Sequence, residues 1–454
     1  MPETAVIRLS EILAALSTVL DIVEGQPEGH AIRSCFIGMT IAERLSLTEE
    51  QRSALFYALL LKDTGCSSNA SRVTALFDAD DFDAKRKMKT VNWSNLLHAG
   101  RFVARNVSPD GTIWAKTRHF VRMGQQGTGV ARQLVQIRCD RGAAIARFLG
   151  FPEETATAIH SLDEHWDGAG YPDGLRGEQI PLLARIGSLA QTVEVFSHTF
   201  GPSEAHAMVR ARRKRWFDPA LVDIFLDEAR RGHLWERLAD AEKGHALDRL
   251  EPPDRELLAT PERLDRVAHA FARVIDAKSP FTFQHSERVA AVATAMSELL
   301  GFPATAVRDQ MRAGLLHDIG KLAISNRILD KPGPLTEAER RTVENHPGMT
   351  YRVLSRVSPF RAIADVAAAH HERLDGSGYH RGLSGADLSL SMRILAVADV
   401  YDALSSARPY RAAMPTEAVL AILRRERERA LCPESVEAII ALVSQGMIAA
   451  PLAA

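Results

Sequence analysis

Residues 313–321 read AGLLHDIGK, and this stretch places the polar pair His317 and Asp318 at the end of an apolar run. A second polar pair, His370 and His371, begins the sequence HHERLDGSGY. Imidazole and carboxylate groups are ligands that divalent metal ions accept. Adjacent pairs of such groups are unusual in an apolar context. The two stretches therefore predict a metal site.

On both sides of these stretches, the spacing of apolar residues is typical of helices. From Ser286 to Leu300 the apolar residues recur with the three-and-four spacing of one helix face, and Gly301 follows as a natural stop. Thr336, followed by Glu339, is the signature of a capping box at the start of another helix. Runs of alternating apolar and polar residues bounded by turn-forming residues, which would indicate β-strands, are nearly absent. The sequence therefore predicts an all-α fold.

The composition is typical of a soluble globular protein. The chain has 454 residues, 46% of them hydrophobic and 25% charged, which is enough for two or three domains. Its formal net charge of −1 gives no general attraction to nucleic acid or membranes. No signal-peptide pattern is visible, and no apolar run approaches the roughly 18 residues that span a bilayer. We expect a cytoplasmic protein without DNA or membrane as a partner.

An internal repeat divides the chain. His30 lies 33 residues before Asp63 (63 − 30), and His285 lies 33 residues before Asp318 (318 − 285). The loop sequence DGAGYP of the first half also corresponds to DGSGYH in the second half. We therefore predict two tandem helical bundles of one type. Their predicted extents are 1–232 for the first domain, with an insertion at about 70–130, 233–257 for a connector and 258–454 for the second domain. Within the insertion, the acidic and then basic segment 78–89 is expected on the surface.

The two copies differ at their polar positions. Aligned with each other, they pair Lys62 with His317, Asp140 with His346, Leu162 with His370, Asp163 with His371 and Gln191 with Asp399. Neither an ammonium group nor a leucine side chain has a lone pair for a metal ion. The first copy is therefore expected to bind no metal and to be a scaffold or regulatory unit. A homodimer formed through this copy is one such role.

These motifs resemble those of the HD-GYP domains, a branch of the HD phosphohydrolase superfamily. The resemblance covers residues from about 260 to 445, where LLHDIGK, HHERLDGSGY, DVYDAL and RPYR follow in the order of the family. Residues from about 20 to 230 resemble a degenerate copy. The resemblance implies a cytosolic, all-helical phosphodiesterase that hydrolyses cyclic di-GMP to the linear dinucleotide or GMP, through a hydroxide activated by metal.

The resemblance also implies roles for individual residues. The implied metal ligands are five histidines and two aspartates, namely His285, His317, Asp318, His346, His370, His371 and Asp399. Asp318 would bridge the ions, iron or manganese, and would act in catalysis together with Lys321. The implied substrate-binding residues are Lys321, Lys331, Tyr379, Arg408 and Arg411.

The chain departs from the family pattern at two positions. Phe281 lies where members with three metals have a glutamate, and a phenyl ring cannot be a ligand, so two divalent ions are expected. His380 replaces the proline that ends the name-giving tripeptide. The loss of proline removes a fixed backbone angle from this loop and puts its rigidity and substrate preference in question.

Two other functions stay open at the level of sequence. The altered loop at Tyr379 and His380 is compatible with a non-catalytic module that binds a cyclic dinucleotide or a partner such as a diguanylate cyclase. The wider superfamily also contains phosphohydrolases of other nucleotides. Turnover of cyclic dinucleotides and of dNTPs distinguishes these alternatives.

Overall fold

The computed structural model describes most of the chain. The described residues are 7–91, 96–109, 112, 114, 116, 118, 129–231, 233–241, 250–252, 257–406, 412–427 and 429–448. Within them the secondary structure is helical, with three isolated β-bridges and no β-strand. The predicted all-α fold is thus confirmed. Among the described helices, none combines the length and the apolar character that crossing a membrane requires.

The chain divides into two compact units, residues 1–260 and 261–454. The described helices of the first unit are α1 (Leu9–Val23), α2 (His30–Ala42), α3 (Glu49–Leu61), α4 (Ala70–Phe77), α5 (Asp81–Thr90), α6 (Leu96–Asn106), α7 (Gly129–Phe148), α8 (Glu153–His160), α9 (Leu182–Phe200), α10 (Pro202–Arg212), α11 (Pro219–Arg230) and α12 (His233–Ala241). Short 3₁₀ turns lie at Cys66–Asn69 and Gly177–Gln179.

The second unit is built in the same way from short helices. Its described helices are α13 (Pro261–Asp276), α14 (His285–Leu299), α15 (Ala304–Leu316), α16 (Asn326–Leu329), α17 (Glu337–Glu344), α18 (His346–Arg356), α19 (Arg361–Ala368), α20 (Leu390–Ser405), α21 (Thr416–Glu426) and α22 (Pro433–Ser444). Its 3₁₀ turns lie at Pro280–Thr282, Ile319–Ala323 and Ser358–Phe360.

The local signals predicted from the sequence act as expected in the second unit. Helix α14 ends at Leu299, and Gly301 follows with φ 75°, a left-handed conformation that favours glycine. At the start of α17, Thr336 accepts from the Glu339 amide, and the Glu339 carboxylate accepts from the Thr336 amide at 2.7 Å. The predicted capping box is confirmed.

Close helix packing positions the HDIGK stretch. Gly314 of α15 lies against Ala290 of α14, where a Cβ on the glycine would be 2.7 Å from the alanine Cα. Leu315 and Leu316 are fully buried, and each contributes roughly 1.5–3 kcal/mol of hydrophobic stabilisation. Helix α15 ends at Leu316, so the polar pair that follows is presented at a helix end within the core.

The predicted insertion and connector are only partly described. The described part of the predicted insertion, about 70–130, contains α4, α5, α6 and the start of α7. The predicted connector begins with α12, whereas 242–249 and 253–256 lie outside the described residues. The division into a degenerate and a ligand-complete copy stays a prediction.

The surroundings of two glycines correct the predicted alignment of the first copy with the second at one position. A Cβ on Gly65 would lie 1.9 Å from the carbonyl oxygen of Arg138, and a Cβ on Gly320 would lie 2.0 Å from that of His346. Arg138, rather than Asp140, therefore takes the place of His346 in the first unit. The predicted pairing is therefore two residues out of register at this point (140 − 138).

Candidate metal centre

The first group of ligand candidates contains His285, His317 and Asp399. Nε2 of His285 lies 3.4 Å from Oδ1 of Asp399, and Nε2 of His317 lies 4.0 Å from the same oxygen. Asp318 adds its Oδ2, which is 3.6 Å from His285 Nε2 and 3.4 Å from His317 Nε2. Two imidazoles and two carboxylates thus converge on one point.

The second group contains His346, His370 and His371. Nε2 of His346 lies 3.2 Å from Oδ1 of Asp318, and Nε2 of His370 lies 3.6 Å from that oxygen. Nδ1 of His371 lies 3.7 Å from Oδ2 of Asp399. The structure thus brings all seven predicted ligands together, and the two oxygens of Asp318 face two different groups of imidazoles.

Backbone contacts fix the tautomer of three histidines. In each, Nδ1 lies 2.6–2.7 Å from the carbonyl oxygen three residues earlier in the chain, as found for His317, His346 and His370. A carbonyl oxygen only accepts, so Nδ1 carries the hydrogen. Nε2 of each ring therefore keeps a lone pair that points into the site.

Helix ends carry most of these side chains. His285 is the first residue of α14, His317 follows the last residue of α15, and His346 is the first residue of α18. Asp276 fixes the start of α14, because its carboxylate accepts from the Ser286 amide at 3.2 Å and from the Ser286 hydroxyl at 2.7 Å. The ligands are thus held by the ends of packed helices, which suits a site that needs fixed geometry.

Two buried polar atoms without hydrogen-bond partners indicate that these residues fit a metal ion. Nε2 of His317 and Oδ1 of Asp318 are buried and have no hydrogen-bond partner among the described residues. A buried polar atom without a partner is costly, and a carboxylate oxygen more so. Divalent cations accept both kinds of atom as ligands, so metal binding would satisfy them.

The carboxylates carry the charge that metal binding requires. Burial alone would raise the pKa of Asp318, but His317 and Lys321 hold it well below its usual value. Burial acts on Asp399 in the same direction, and its hydrogen bond with His285 lowers the pKa well below the usual value. Both carboxylates are therefore ionised at neutral pH.

Most of the imidazoles are neutral. Burial lowers the pKa values of His346, His370 and His371, and that of His370 falls to about 4. Neutral imidazoles beside ionised carboxylates are the protonation states that metal ligation needs. His285 differs, since burial lowers its pKa but Asp399 and its other acidic neighbour raise it to about 9.

That neighbour is Asp402, which lies in the DVYDAL motif and is one of two positioning residues whose role was not predicted from the sequence. Its Oδ2 lies 2.6 Å from Nδ1 of His285, and its Oδ1 accepts from Nε of Arg288 at 2.5 Å. Asp402 lies one helical turn after Asp399, and Arg288 lies one turn after His285. This three-residue spacing from a predicted ligand could have indicated both positioning residues, because side chains three residues apart lie on the same helix face.

Lys321 and Tyr379, two of the predicted substrate-binding residues, lie beside the ligands. Nζ of Lys321 lies 2.5 Å from Oδ2 of Asp318. The ring of Tyr379 lies against the ring of His371, with the centroids 4.6 Å apart. The site therefore has a cation on one side and an aromatic wall on another.

Among the described residues, no contact joins Lys331, another predicted substrate-binding residue, to the ligands. Nζ of Lys331 pairs with the carboxylate of Glu339 at 2.6 Å, at the start of α17. Arg408 and Arg411 lie outside the described residues. Phe281, for which a ligand role was excluded, lies in the 3₁₀ turn Pro280–Thr282.

The loop that carries Tyr379 is fastened by Glu372. This buried carboxylate accepts from the backbone amides of Arg381 at 2.8 Å and Leu383 at 2.9 Å. Because Glu372 directly follows His371, these two bonds tie the loop to the ligand pair. Glu372 belongs to the HHERLDGSGY motif, but its role was not predicted from the sequence.

Comparison with known proteins places this fold and site in a family. The family model described as HD domain matches residues 84–221 and 269–433. The chain belongs to the HD domain family. The resemblance stated from the motifs is thereby confirmed. All seven ligand candidates of this HD-domain chain fall within the second matched segment, since they lie between 285 and 399.

Relatives of this HD-domain chain include proteins that match along most of its length. It is 43% identical over 431 residues to the 3′3′-cGAMP-specific phosphodiesterase 3 of Vibrio cholerae, which covers 95% of this chain and 94% of that protein. It is 34% identical over 272 residues to the cyclic di-GMP phosphodiesterase PA4108 of Pseudomonas aeruginosa, with 58% and 62% covered. Among solved structures it is similar to the cyclic GMP-AMP specific phosphodiesterase V-cGAP3 of V. cholerae, with a TM-score of 0.65, 38% identity and coverage of 97% and 98%.

Proposed function

We propose that this HD-domain chain is a metal-dependent phosphodiesterase that hydrolyses a cyclic dinucleotide. The observation that carries the proposal is the orientation of Asp318. Its Oδ2 faces His285 and His317, and its Oδ1 faces His346 and His370. A carboxylate shared by two groups of imidazoles suits a pair of divalent ions, which is a common arrangement in enzymes that cleave phosphate esters.

Seven residues would hold the two ions. The first ion would bind to the His285, His317 and Asp399 group, the second to the His346, His370 and His371 group, and Asp318 would be shared. When bound, the ions polarise a phosphate oxygen and make water acidic enough to attack near neutral pH. Iron and manganese are the proposed metals, and imidazole with carboxylate ligands is compatible with both.

The chain's own residues orient the substrate around this pair. Lys321 places an ammonium group beside Asp318, where it can meet the non-bridging oxygens of one phosphate. Tyr379, packed on His371, walls the pocket and limits the access of water. We also propose that Lys331, Arg408 and Arg411 contact the second phosphate. The product would be the linear dinucleotide or, after a second cleavage, mononucleotides.

Two substrates are proposed, in a definite order. The first is 3′3′-cGAMP, because the relative that matches 95% of this chain is named for that substrate. The second is cyclic di-GMP, as the sequence motifs suggest. It is favoured by relatives over part of the chain, such as the cyclic di-GMP phosphodiesterase RpfG of Xanthomonas campestris, 43% identical over 182 residues. Homodimer formation, a diguanylate cyclase partner and a cytoplasmic location stay predictions.

A product assay tests the proposed function. Anaerobically purified protein loaded with Mn²⁺ or Fe²⁺ should convert 3′3′-cGAMP or cyclic di-GMP to linear product, and His317→Ala should abolish the conversion. His269→Ala, which changes a histidine of α13 outside both ligand groups, is the matched control and should retain activity. Tight binding without product in metal-loaded protein would instead support the non-catalytic module. Turnover confined to dNTPs would support a phosphohydrolase of other nucleotides.

A further inference from the structure

The first unit keeps the outer scaffold that surrounds the metal ligands in the second unit. His30 contacts Glu194 through Nδ1, and Nε of Arg33 donates to the same carboxylate at 2.6 Å. Asp21 accepts from the amide of Ala31 at 3.0 Å, at the start of α2. These contacts correspond to those of His285, Asp402, Arg288 and Asp276 in the second unit. The first unit therefore contains a recognisable counterpart of the metal centre.

In that counterpart, an ammonium group lies at a position that a predicted metal ligand occupies in the second unit. Lys62, in the place of His317, is buried with its side chain 1% exposed, and its Nζ contacts the carboxylate of Asp63. Nε2 of His30 lies 3.9 Å from Oδ2 of Asp63 and has no hydrogen-bond partner among the described residues. A positive charge thus lies against the carboxylate that corresponds to Asp318.

Helix α5 of the predicted insertion adds two further ammonium groups. Nζ of Lys89 lies 2.8 Å from Oε2 of the buried Glu24. Nζ of Lys85 donates to the carbonyl oxygens of Cys66 at 2.7 Å and Val23 at 3.2 Å. Both lysines therefore reach into the segments that border Asp63, although the sequence predicted a surface location for residues 78–89.

The insertion holds α5 firmly in this place. It shares a small apolar core with α7, in which Val73, Phe77, Ala84, Phe102 and Leu134 are buried, and the rings of Phe77 and Phe102 meet edge to face at 5.9 Å. The backbone of Gly25 lies directly against that of Phe82, since a Cβ on the glycine would be 2.1 Å from the Phe82 carbonyl oxygen. The helix is therefore packed against the first unit's scaffold.

The buried carboxylates of Glu24 and Asp63 are already paired with cations of the chain. By their spacing, Glu24, Asp63 and Cys66 could hold a metal ion. Burial alone would raise the pKa values of both carboxyls, yet the nearby lysines lower that of Asp63 to about 2 and that of Glu24 well below its usual value. A divalent ion at this point would have to displace or repel fixed ammonium groups at close range in a buried site, which is strongly unfavourable.

We propose that Lys62, Lys85 and Lys89 take the place of metal ions in the first unit, so that its counterpart of the metal centre is closed by the chain's own ammonium groups and binds no metal. The insertion then has a definite role, because it supplies two of these three lysines. The first unit would keep its fold when metal is scarce, while the second unit depends on metal.

Stability of the full-length protein tests the role of Lys89. Lys89→Met leaves the buried Glu24 carboxylate short of a cation, and removing one partner of a buried pair should lower the unfolding temperature of the first unit by roughly 6–20 °C. Lys87→Met, on the exposed side of the same helix, is the matched control and should change it little. Lys89→Arg keeps the charge and should recover most of the stability. Equal unfolding temperatures for Lys89→Met and Lys87→Met would overturn the proposal.

The absorption spectrum of added Co²⁺ tests whether the first unit binds a metal ion. The predicted ligands of the second unit include no thiol, so they cannot give a thiolate band. Cys66 is the thiol beside Asp63, so a Co²⁺ ion bound at Glu24, Asp63 and Cys66 would show a thiolate-to-cobalt absorption band. The wild-type protein, titrated with Co²⁺ until the second unit is saturated, should show no such band. A band that disappears in Cys66→Ser would refute the proposal.

Discussion

Nδ1 of His285 lies 2.6 Å from Oδ2 of Asp402, and this contact decides which nitrogen of His285 faces the other ligand candidates. Because the carboxylate holds the Nδ1 side, Nε2 is directed at Asp318 and Asp399. Arg288 holds Asp402 in turn, through Nε at 2.5 Å. A ligand oriented through a chain of two further side chains is a recurrent feature of protein metal sites.

Loss of the contact between Asp402 and His285 should weaken metal binding. Asp402→Asn keeps the shape of the side chain but loses its charge, and we expect metal affinity to fall about 10- to 100-fold. Mn²⁺ titration followed by elemental analysis measures the change. Asp309→Asn, at an exposed acid of α15, is the control. An unchanged affinity in Asp402→Asn would show that His285 needs no such orientation.

The close approach of Gly320 to His346 leads to a second prediction. Gly320→Ala would place a methyl group 2.0 Å from the His346 carbonyl oxygen, so the HDIGK stretch and α18 must move apart. Displacement of the two ligand groups by about 1 Å should cost on the order of 100-fold in kcat. Gly333→Ala meets open space and should leave kcat unchanged. Similar kcat values for the two variants would argue against a rigid two-group site.

Glu372 leads to a prediction about substrate binding. Glu372→Gln can accept only one of the two amides, those of Arg381 and Leu383, and the unpaired donor should cost about 1–3 kcal/mol of loop stability. We expect KM to rise several-fold, with metal content unchanged and faster proteolysis within the loop. Glu417→Gln, at an exposed acid of α21, serves as the comparison. A KM equal to that of the wild type would mean that the loop does not contact substrate.

Asp21 leads to a prediction about pH. Burial raises its pKa from 3.8 to about 7, with a further increase from Asp63 and a decrease from Lys62. Between about pH 4 and 7 the folded carboxyl is protonated while the unfolded one is ionised. Its contribution to the free energy of unfolding is thus fully present below about pH 4 and is lost as pH rises towards 7, by about 1.4 kcal/mol per pH unit.

Urea unfolding of the first unit at several pH values checks this slope. Asp21→Asn cannot titrate and should flatten the dependence between pH 5 and 7. Asp227→Asn, at a partly exposed acid of α11, should keep the wild-type slope. If the wild type and Asp21→Asn lose stability equally over this range, another group is responsible.

Local signals and ligand identity were predictable from the sequence. The apolar spacing after Ser286, the stop at Gly301 and the capping box at Thr336 depend on residues close in the chain, and the structure has these elements within one residue. The ligand candidates were recognised because adjacent His-Asp and His-His pairs at family spacings are rare. The structure adds their grouping about the two oxygens of Asp318.

Contacts between distant segments could not be predicted in the same way. Asp402 meets His285 across 117 residues, and Lys89 meets Glu24 across 65 residues (89 − 24). The charge pattern of residues 78–89 is that of an exposed segment, so the surface prediction was reasonable but wrong for Asp81 and Lys85, which are buried. Burial of a charged side chain depends on its partners, and those of Lys85 are the carbonyl oxygens of Val23 and Cys66, which are distant from it in the chain.

The shared role of Asp318 is tested by the metal content of Asp318→Asn compared with that of the wild type, with each protein purified anaerobically and assayed for hydrolysis. A neutral amide cannot bridge two cations, so the wild type should contain two ions per chain and hydrolyse the cyclic dinucleotide, while Asp318→Asn should lose at least one ion and nearly all turnover. Two ions and full turnover in Asp318→Asn would contradict the shared carboxylate on which the account depends.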